Sequence, residues 1–262
     1  MSITNITRTM RDNRPTAEVV MRLLQLSDSA LPIGTFSFSN TLESAVEWGV
    51  VGDRESLKEY CTELLRVVAL TDGVAALHAL KACNRARYDD ILRADKLLFC
   101  SKASDEARLM TQRMGRKLAE LGVALVTSEN SPTIARTGAT AVEEHKASAT
   151  ILRWHDDIRS GKAAGCCAVS QGIIASTFGI GEEALFASLC YSAAMMILSA
   201  ALRSMRVTHI VTQQIIGEIC HLAEPLLTEA RGLNVEDMQS FALEYDIMAS
   251  LHEKGDKRLF MN

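Results

Sequence analysis

The chain has 262 residues, enough for one large domain or two small ones. Hydrophobic residues make up 48% and charged residues 23%, the balance of a globular protein. A net charge of −4 and a pI near 5.9 argue against nucleic acid or an anionic membrane as the main partner.

The N-terminal stretch "MSITNITRTMRDNRPTA" lacks the apolar run of a secretory leader, so residues 1–17 read as a flexible polar tail. An all-helical domain is expected over 18–262. The apolar run "VVMRLLQL" leads into "LPIGTFSFSNTLE" (31–43), where Pro32 and Gly34 force a turn. Solvated turns are normally polar, yet this one carries Phe36 and Phe38. Two readings stand: rings folded into the protein's own core, or anchors for a partner. The amphipathic run "TLESAVEWGVV" follows.

From there helical spacing dominates. Leu57, Tyr60, Cys61, Leu64, Leu65 and Val68 share one helical face, with Asp53 placed as N-cap. "YDDILRAD" (88–95) invites comparison with aspartate-rich magnesium sites, but Arg93 stands at the fifth position, where a ligand is needed. After Ser104, residues Ala107, Met110, Met114, Leu121 and Leu125 repeat the helical spacing. "HDDIRS" (155–160) also lacks ligand spacing, and "GKAAG" (161–165) is too short and wrongly ordered for a phosphate loop. Residues 184–202 carry no charge and approach a membrane-spanning length. Their Ala and Ser content and charged flanks predict instead a buried central helix of a bundle. Val211, Ile215, Ile219 and Leu222 form a stripe that Pro225 kinks or ends. Asn234, with Glu236 and Asp237 behind it, caps a further helix carrying Val235, Met238, Phe241, Tyr245 and Met248. Sustained two-residue alternation is absent. The expectation is a single all-α domain of roughly eight to ten helices.

Catalytic chemistry is hard to assemble from this chain. It has no H-E-x-x-H, P-loop or G-x-S-x-G pattern, and its six histidines form no cluster in sequence. Its seven cysteines are odd in number, scattered and without a C-x-x-C, as in a reduced core. The neighbouring Cys166 and Cys167 point about 100° apart on a helix and close no metal site alone. No enzyme activity, cofactor or resident metal is expected.

Four blocks in order give the chain a family resemblance. "LLQLSDSALPIGTFSFSNTLESAVEWGVV" (23–51) resembles the N-terminal signature of the urease accessory protein UreF family, through Pro32, Ile33, Gly34, Thr35, Phe36, Ser39, Leu42 and Glu43. "KASDEARLMTQRMGRKL" (102–118), with Met114-Gly115, and the Ala-rich "LCYSAAMMILSAALR" (189–203) are similar to later family blocks. The closing "EYDIMASLHEKGDKRLFMN" (244–262) matches through Asp246, Ile247, His252, Glu253, Arg258, Leu259 and Phe260. Departures are Cys166-Cys167, where the family often has His-Pro or a similar pair, the stretch near "VTHIV" (207–211), which replaces the family's Leu-Gly-Gln, and Lys257, where it commonly has Ser.

The resemblance implies a non-catalytic, cytoplasmic, all-α homodimer. It implies a factor that bridges a UreD/UreH-like scaffold to the nickel-carrying UreG-like GTPase, modulates that GTPase, and so serves nickel insertion into apo-urease. It also implies partner-binding roles. The turn, with Phe36, Ser37 and Phe38, lies toward the GTPase-recruiting surface. The 256–262 tail, with Arg258, Leu259 and Phe260, docks on the scaffold and orders there. The alternative from another class is a helical small-molecule-binding protein or enzyme with an unrecognised pocket, which predicts an enclosed cavity with converging polar groups.

Overall fold

The computed structural model describes residues 15–28, 30–33, 38–39, 41–128 and 141–238. Every regular element among them is helical, as the spacing predicts. In chain order these are α1 (Ala17–Ser27), α2 (Leu42–Glu47), α3 (Arg54–Val68), α4 (Val74–Asn84), α5 (Tyr88–Ser101) and α6 (Asp105–Thr127). Then come α7 (Ala141–Arg159), α8 (Cys167–Thr177), α9 (Glu182–Ser204), α10 (His209–Ile219) and α11 (Ala223–Gly232). A π turn at Ala69–Gly73 joins α3 to α4, and a 3-10 turn at Cys220–Leu222 joins α10 to α11. Counting each joined pair once leaves nine helical rods among the described residues.

The boundaries have local causes. Asp53 accepts from Ser56 N at 2.9 Å while Ser56 Oγ accepts from Asp53 N at 3.1 Å, a reciprocal cap on α3. Ser104 caps α6 by accepting from Ala107 N. Pro225 has no N–H for the carbonyl four residues back, and the chain tightens into the 3-10 turn just before it. Asn234 and Asp237 cap each other around a short 3-10 turn, Val235–Asp237. The Phe241, Tyr245 and Met248 part of the expected stripe lies outside the described residues.

Two apolar clusters form the core. One gathers α4, α6, α7 and α8; the other gathers α2, α3, α9, α10 and α11. Helix α4 divides them, with Ala75, Ala76 and Ala79 in the first and Val74 and Leu77 in the second. The helix most enclosed is α8, in which every residue except Gln171 is buried. It sits so close to its neighbours that a Cβ on Gly172 would lie 2.4 Å from the Ala76 carbonyl oxygen. A Cβ on Gly115 of α6 would lie 2.0 Å from the Gly165 oxygen. Inside this crossing Trp154 Nε1 donates to Ser170 Oγ at 2.9 Å, and Ser170 Oγ donates to Gly115 O at 3.1 Å.

The expected buried helix over 184–202 is α9, and it is buried on one side. Phe186, Cys190, Ala194, Ile197 and Leu198 face the core, while Tyr191 is 45% exposed. It is long and apolar enough to cross a membrane by length and composition, yet 56% of its most apolar window is already buried in protein.

Candidate docking surfaces

The turn after α1 is built by Asp28, whose side chain accepts from Ala30 N at 2.8 Å and whose carbonyl accepts from Leu31 N at 3.0 Å. Beyond it Ile33 and Ser39 are buried, and Phe38 is 3% exposed within the larger core. Of the two readings for Phe38, the ring folded into the protein's own core is the one seen. Phe36 and Ser37 lie outside the described residues, as do Arg258, Leu259 and Phe260 of the tail.

Helix α1 has apolar residues on both sides. Val19, Leu23 and Leu26, spaced four and three apart, pack toward the larger core. On the far side Val20, Met21 and Leu24 are 38%, 71% and 64% exposed. Arg22 holds the helix in register by lying over the Phe178 ring, 5.0 Å from its centroid. The contact with the body is loose. A groove of about 70 Å³ runs between the end of α1 and α9, lined among others by Leu26, Leu31, Tyr191, Met195 and Met196. A smaller space of about 20 Å³ lies under Leu23 and Leu26. Methionine adapts to irregular neighbours, so a Met-lined groove beside an open apolar helix is suited to an interface.

The inner end of the Gly161–Gly165 loop is a nest of N–H groups filled from within. Asp95, 1% exposed, accepts from Ala164 N at 2.7 Å, Gly165 N at 3.2 Å and Cys166 N at 2.8 Å. Burial pushes its carboxyl above the ordinary range, against the downward pull of these donors, that of Cys166 being the largest. The last residue of "YDDILRAD" is thus an internal anion for the loop that opens α8, and the loop has no room for an external one. Next to it Cys167 N donates to Thr111 Oγ1 at 3.0 Å. Burial pushes the Cys167 thiol up to about 12 and raises that of Cys166 further, so both stay protonated and poor as nucleophiles or metal ligands. Among the described residues no group of three His, Cys, Asp or Glu side chains is placed to hold a metal ion. Among the described residues the arrangement offers surfaces and a rigid core.

Residues 51–220 match the UreF family. The urease accessory protein UreF of Yersinia enterocolitica (serotype O:8 / biotype 1B) is 36% identical over 246 residues, spanning 94% of this chain and 99% of its own. The same identity and coverage hold for the proteins of that name from Yersinia pseudotuberculosis (serotype IB) and Yersinia pestis (strain Pestoides F). The chain belongs to the UreF family. As a UreF-family chain it aligns with these relatives over nearly its whole length.

Sequence reasoning missed three features of this UreF-family body. The outer face of α1 was hidden because "VVMRLLQL" has apolar residues on every side, which reads simply as core. Trp48, 61% exposed, stood inside a run read as amphipathic. Asp95 looked like one more charge at a helix, although a lone Asp among Ile91, Ala94 and Leu98 on an otherwise buried face was a usable signal.

Proposed function

We propose that this protein is a non-catalytic urease maturation factor. It bridges a UreD/UreH-like scaffold and a UreG-like GTPase, modulates the GTPase, and serves nickel insertion into apo-urease in the cytoplasm. The observation that carries the reading is the UreF-family match along nearly the entire chain. The body fits it: buried, protonated thiols, no metal cluster among the described residues, and apolar surface beyond what its own core uses.

The protein acts as a homodimer, and the face we assign to the second copy is the one formed by α1 and the outward side of α9. Residues 184–202 carry no charge, so the α9 part of that face brings no like charges together across a two-fold axis. A permanent dimer of this kind should bury more than about 2,000 Å² in total. The tail carrying Arg258, Leu259 and Phe260 engages the scaffold, and the turn with Phe36 and Ser37 lies toward the GTPase.

The test is co-purification of the full chain with purified scaffold, GTPase and apo-urease under reducing conditions. A stable complex is expected with wild type. Deleting 256–262 should abolish scaffold capture while the melting temperature holds. A truncated chain that captures the scaffold at wild-type yield removes the tail from the reading, and failure of the full chain to join any of the three removes the function. Among the described residues, the two cavities beside α1 fall far short of the several hundred Å³ that the small-molecule alternative calls for.

A further inference from the structure

The corner between α2 and α3 is built to present a side chain outward. Helix α2 ends in a tight hydrogen-bonded cap: Trp48 N donates to Ser44 O at 2.9 Å, Gly49 N to Val46 O at 3.1 Å and Val50 N to Ala45 O at 2.8 Å. Gly49 takes φ +72°, the left-handed conformation that lets the chain reverse there. Val51 N donates back to Ala45 O at 3.0 Å, and its side chain, 1% exposed, pins the corner to the core. On this fixed support Trp48 is 61% and Val50 49% exposed. A large indole held open to water on a rigid cap is unusual, and tryptophan is the residue most enriched at binding hot spots.

The charge around it is one-sided. Residues 43–66 contain six carboxylates, at Glu43, Glu47, Asp53, Glu55, Glu59 and Glu63, against three cations. All three cations are already engaged: Arg54 pairs with Glu55 and Glu218, Lys58 with Glu55 at 2.9 Å and Glu218 at 3.4 Å, and Arg66 with Glu63 at 3.8 Å. Glu47, next to the indole, is exposed and pairs with no cation among the described residues. A second copy meeting this corner across a two-fold axis would bring acidic rim against acidic rim, which costs binding. The uncharged α9 face has no such obstacle.

We infer that the Trp48–Val50 corner is a separate docking site for a partner protein that offers an apolar pocket with a cationic rim. This rests on the assembly reading above and adds a fourth contact to it, distinct from the tail, from the turn with Phe36 and Ser37 and from the α1–α9 face. The indole fills the pocket, and Glu47 with its acidic neighbours steers and registers the approach.

The chain itself supplies the probe, because it has two tryptophans and the other, Trp154, is fully buried. Full-length protein labelled with 5-fluorotryptophan should show two ¹⁹F signals, assigned through Trp48→Phe, of which only Trp48 shifts between H2O and D2O. Purified scaffold, GTPase and apo-urease are then added one at a time and together, with complex formation followed by co-elution. One addition should broaden or move the Trp48 signal and remove its solvent shift, with Trp154 unmoved. Trp48→Ala should weaken that binding about tenfold or more at an unchanged melting temperature. Glu47→Lys and raised salt should each weaken it too.

If complexes form while the Trp48 signal stays put and Trp48→Ala binds as wild type, the inference is wrong and the assembly reading survives. Absence of any complex overturns both. Protection of Trp48 that grows with concentration of the chain alone assigns the corner to a second copy and overturns the inference. So does protection in the isolated chain that is relieved by Arg258→Glu and Phe260→Ala, which would assign the corner to its own tail.

Discussion

Helices α1 and α8 are each 11 residues long and each rich in apolar residues, yet one buries none of its residues and the other buries all but one. The difference lies in residue size together with charge, since α1 carries Glu18 and Arg22 and α8 carries no charged side chain. Helix α8, "CAVSQGIIAST", mixes Gly, Ala, Ser and Cys with two isoleucines, so neighbouring helices close on it from every direction. Helix α1, "AEVVMRLLQLS", is studded with large side chains that a single neighbour cannot cover, and its outer half is left in water. Apolar surface thus serves two ends in this protein: small residues make the interior rigid, and large ones at the edge remain available for a partner.

The sharpest way to break that contrast is to enlarge α8. Gly172→Val places a side chain where even a Cβ meets the Ala76 carbonyl oxygen at 2.4 Å, and the obstacle is backbone that cannot swing aside. The helices must part along α4 and α8, at an expected cost upwards of about 4 kcal/mol. Gly115→Ala should act similarly against the Gly165 oxygen. Denaturant midpoints read the loss. A cost below about 1 kcal/mol would mean that the small residues of α8 do not set the helix spacing.

The next effect falls on the loop that starts α8. Asp95→Ala leaves the buried N–H groups of Ala164, Gly165 and Cys166 without their acceptor and should cost about 3 kcal/mol or more. Asp95→Asn keeps one carbonyl oxygen and should cost less. The pH dependence has a definite sign. Because burial raises the native pKa of Asp95, the folded protein holds this proton more tightly than the unfolded chain does. Its contribution to stability therefore falls as pH rises from the unfolded value, about 3.9, through the raised native value, and recovers on acidification. Surface Glu218 runs oppositely: its hydrogen bond to Arg54 lowers its pKa, so its contribution is present at neutral pH and lost as pH falls. As pH drops from 7 toward 4, stability should shift in favour of wild type over Asp95→Asn. A gap that moves the other way would show that the three N–H donors outweigh burial.

These regions also mark how far the sequence could be read. The all-α class, the Asp53 cap and the buried face of α3 followed directly from spacing, because amphipathic helices announce themselves by period. Helix α8 did not, since a helix buried all round has no polar face to set a phase. The region that looked central, 184–202, proved half open, because Ala and Ser suit a tight crossing and an exposed face alike. Phe38 could not be placed from its turn, as the fold brings Ile33 and Phe38 inward by contacts remote in sequence. The nest around Asp95 spans helices some 70 residues apart, a distance no local pattern records.

The smallest effect on stability should come from the outer face of α1, and it sharpens the comparison most. Met21 and Leu24 are 71% and 64% exposed, so replacing both with Glu removes little contact from the folded chain. Val19, Leu23 and Leu26 still hold the helix to the body, and Thr16 still accepts from Val19 N at its start. The melting temperature should therefore stay within about a degree or two of wild type, in contrast to any change in α8. Self-association should respond in the opposite way. Two glutamates placed on the face assigned to the second copy meet their own copies across the two-fold axis, adding like-charge repulsion and desolvation to the loss of apolar area. Sedimentation at micromolar concentration should show a dimer for wild type and a monomer for Met21→Glu with Leu24→Glu. A double variant that melts like wild type and remains dimeric would move the dimer face off α1, and one that melts far lower would show that α1's outer residues belong to the fold after all.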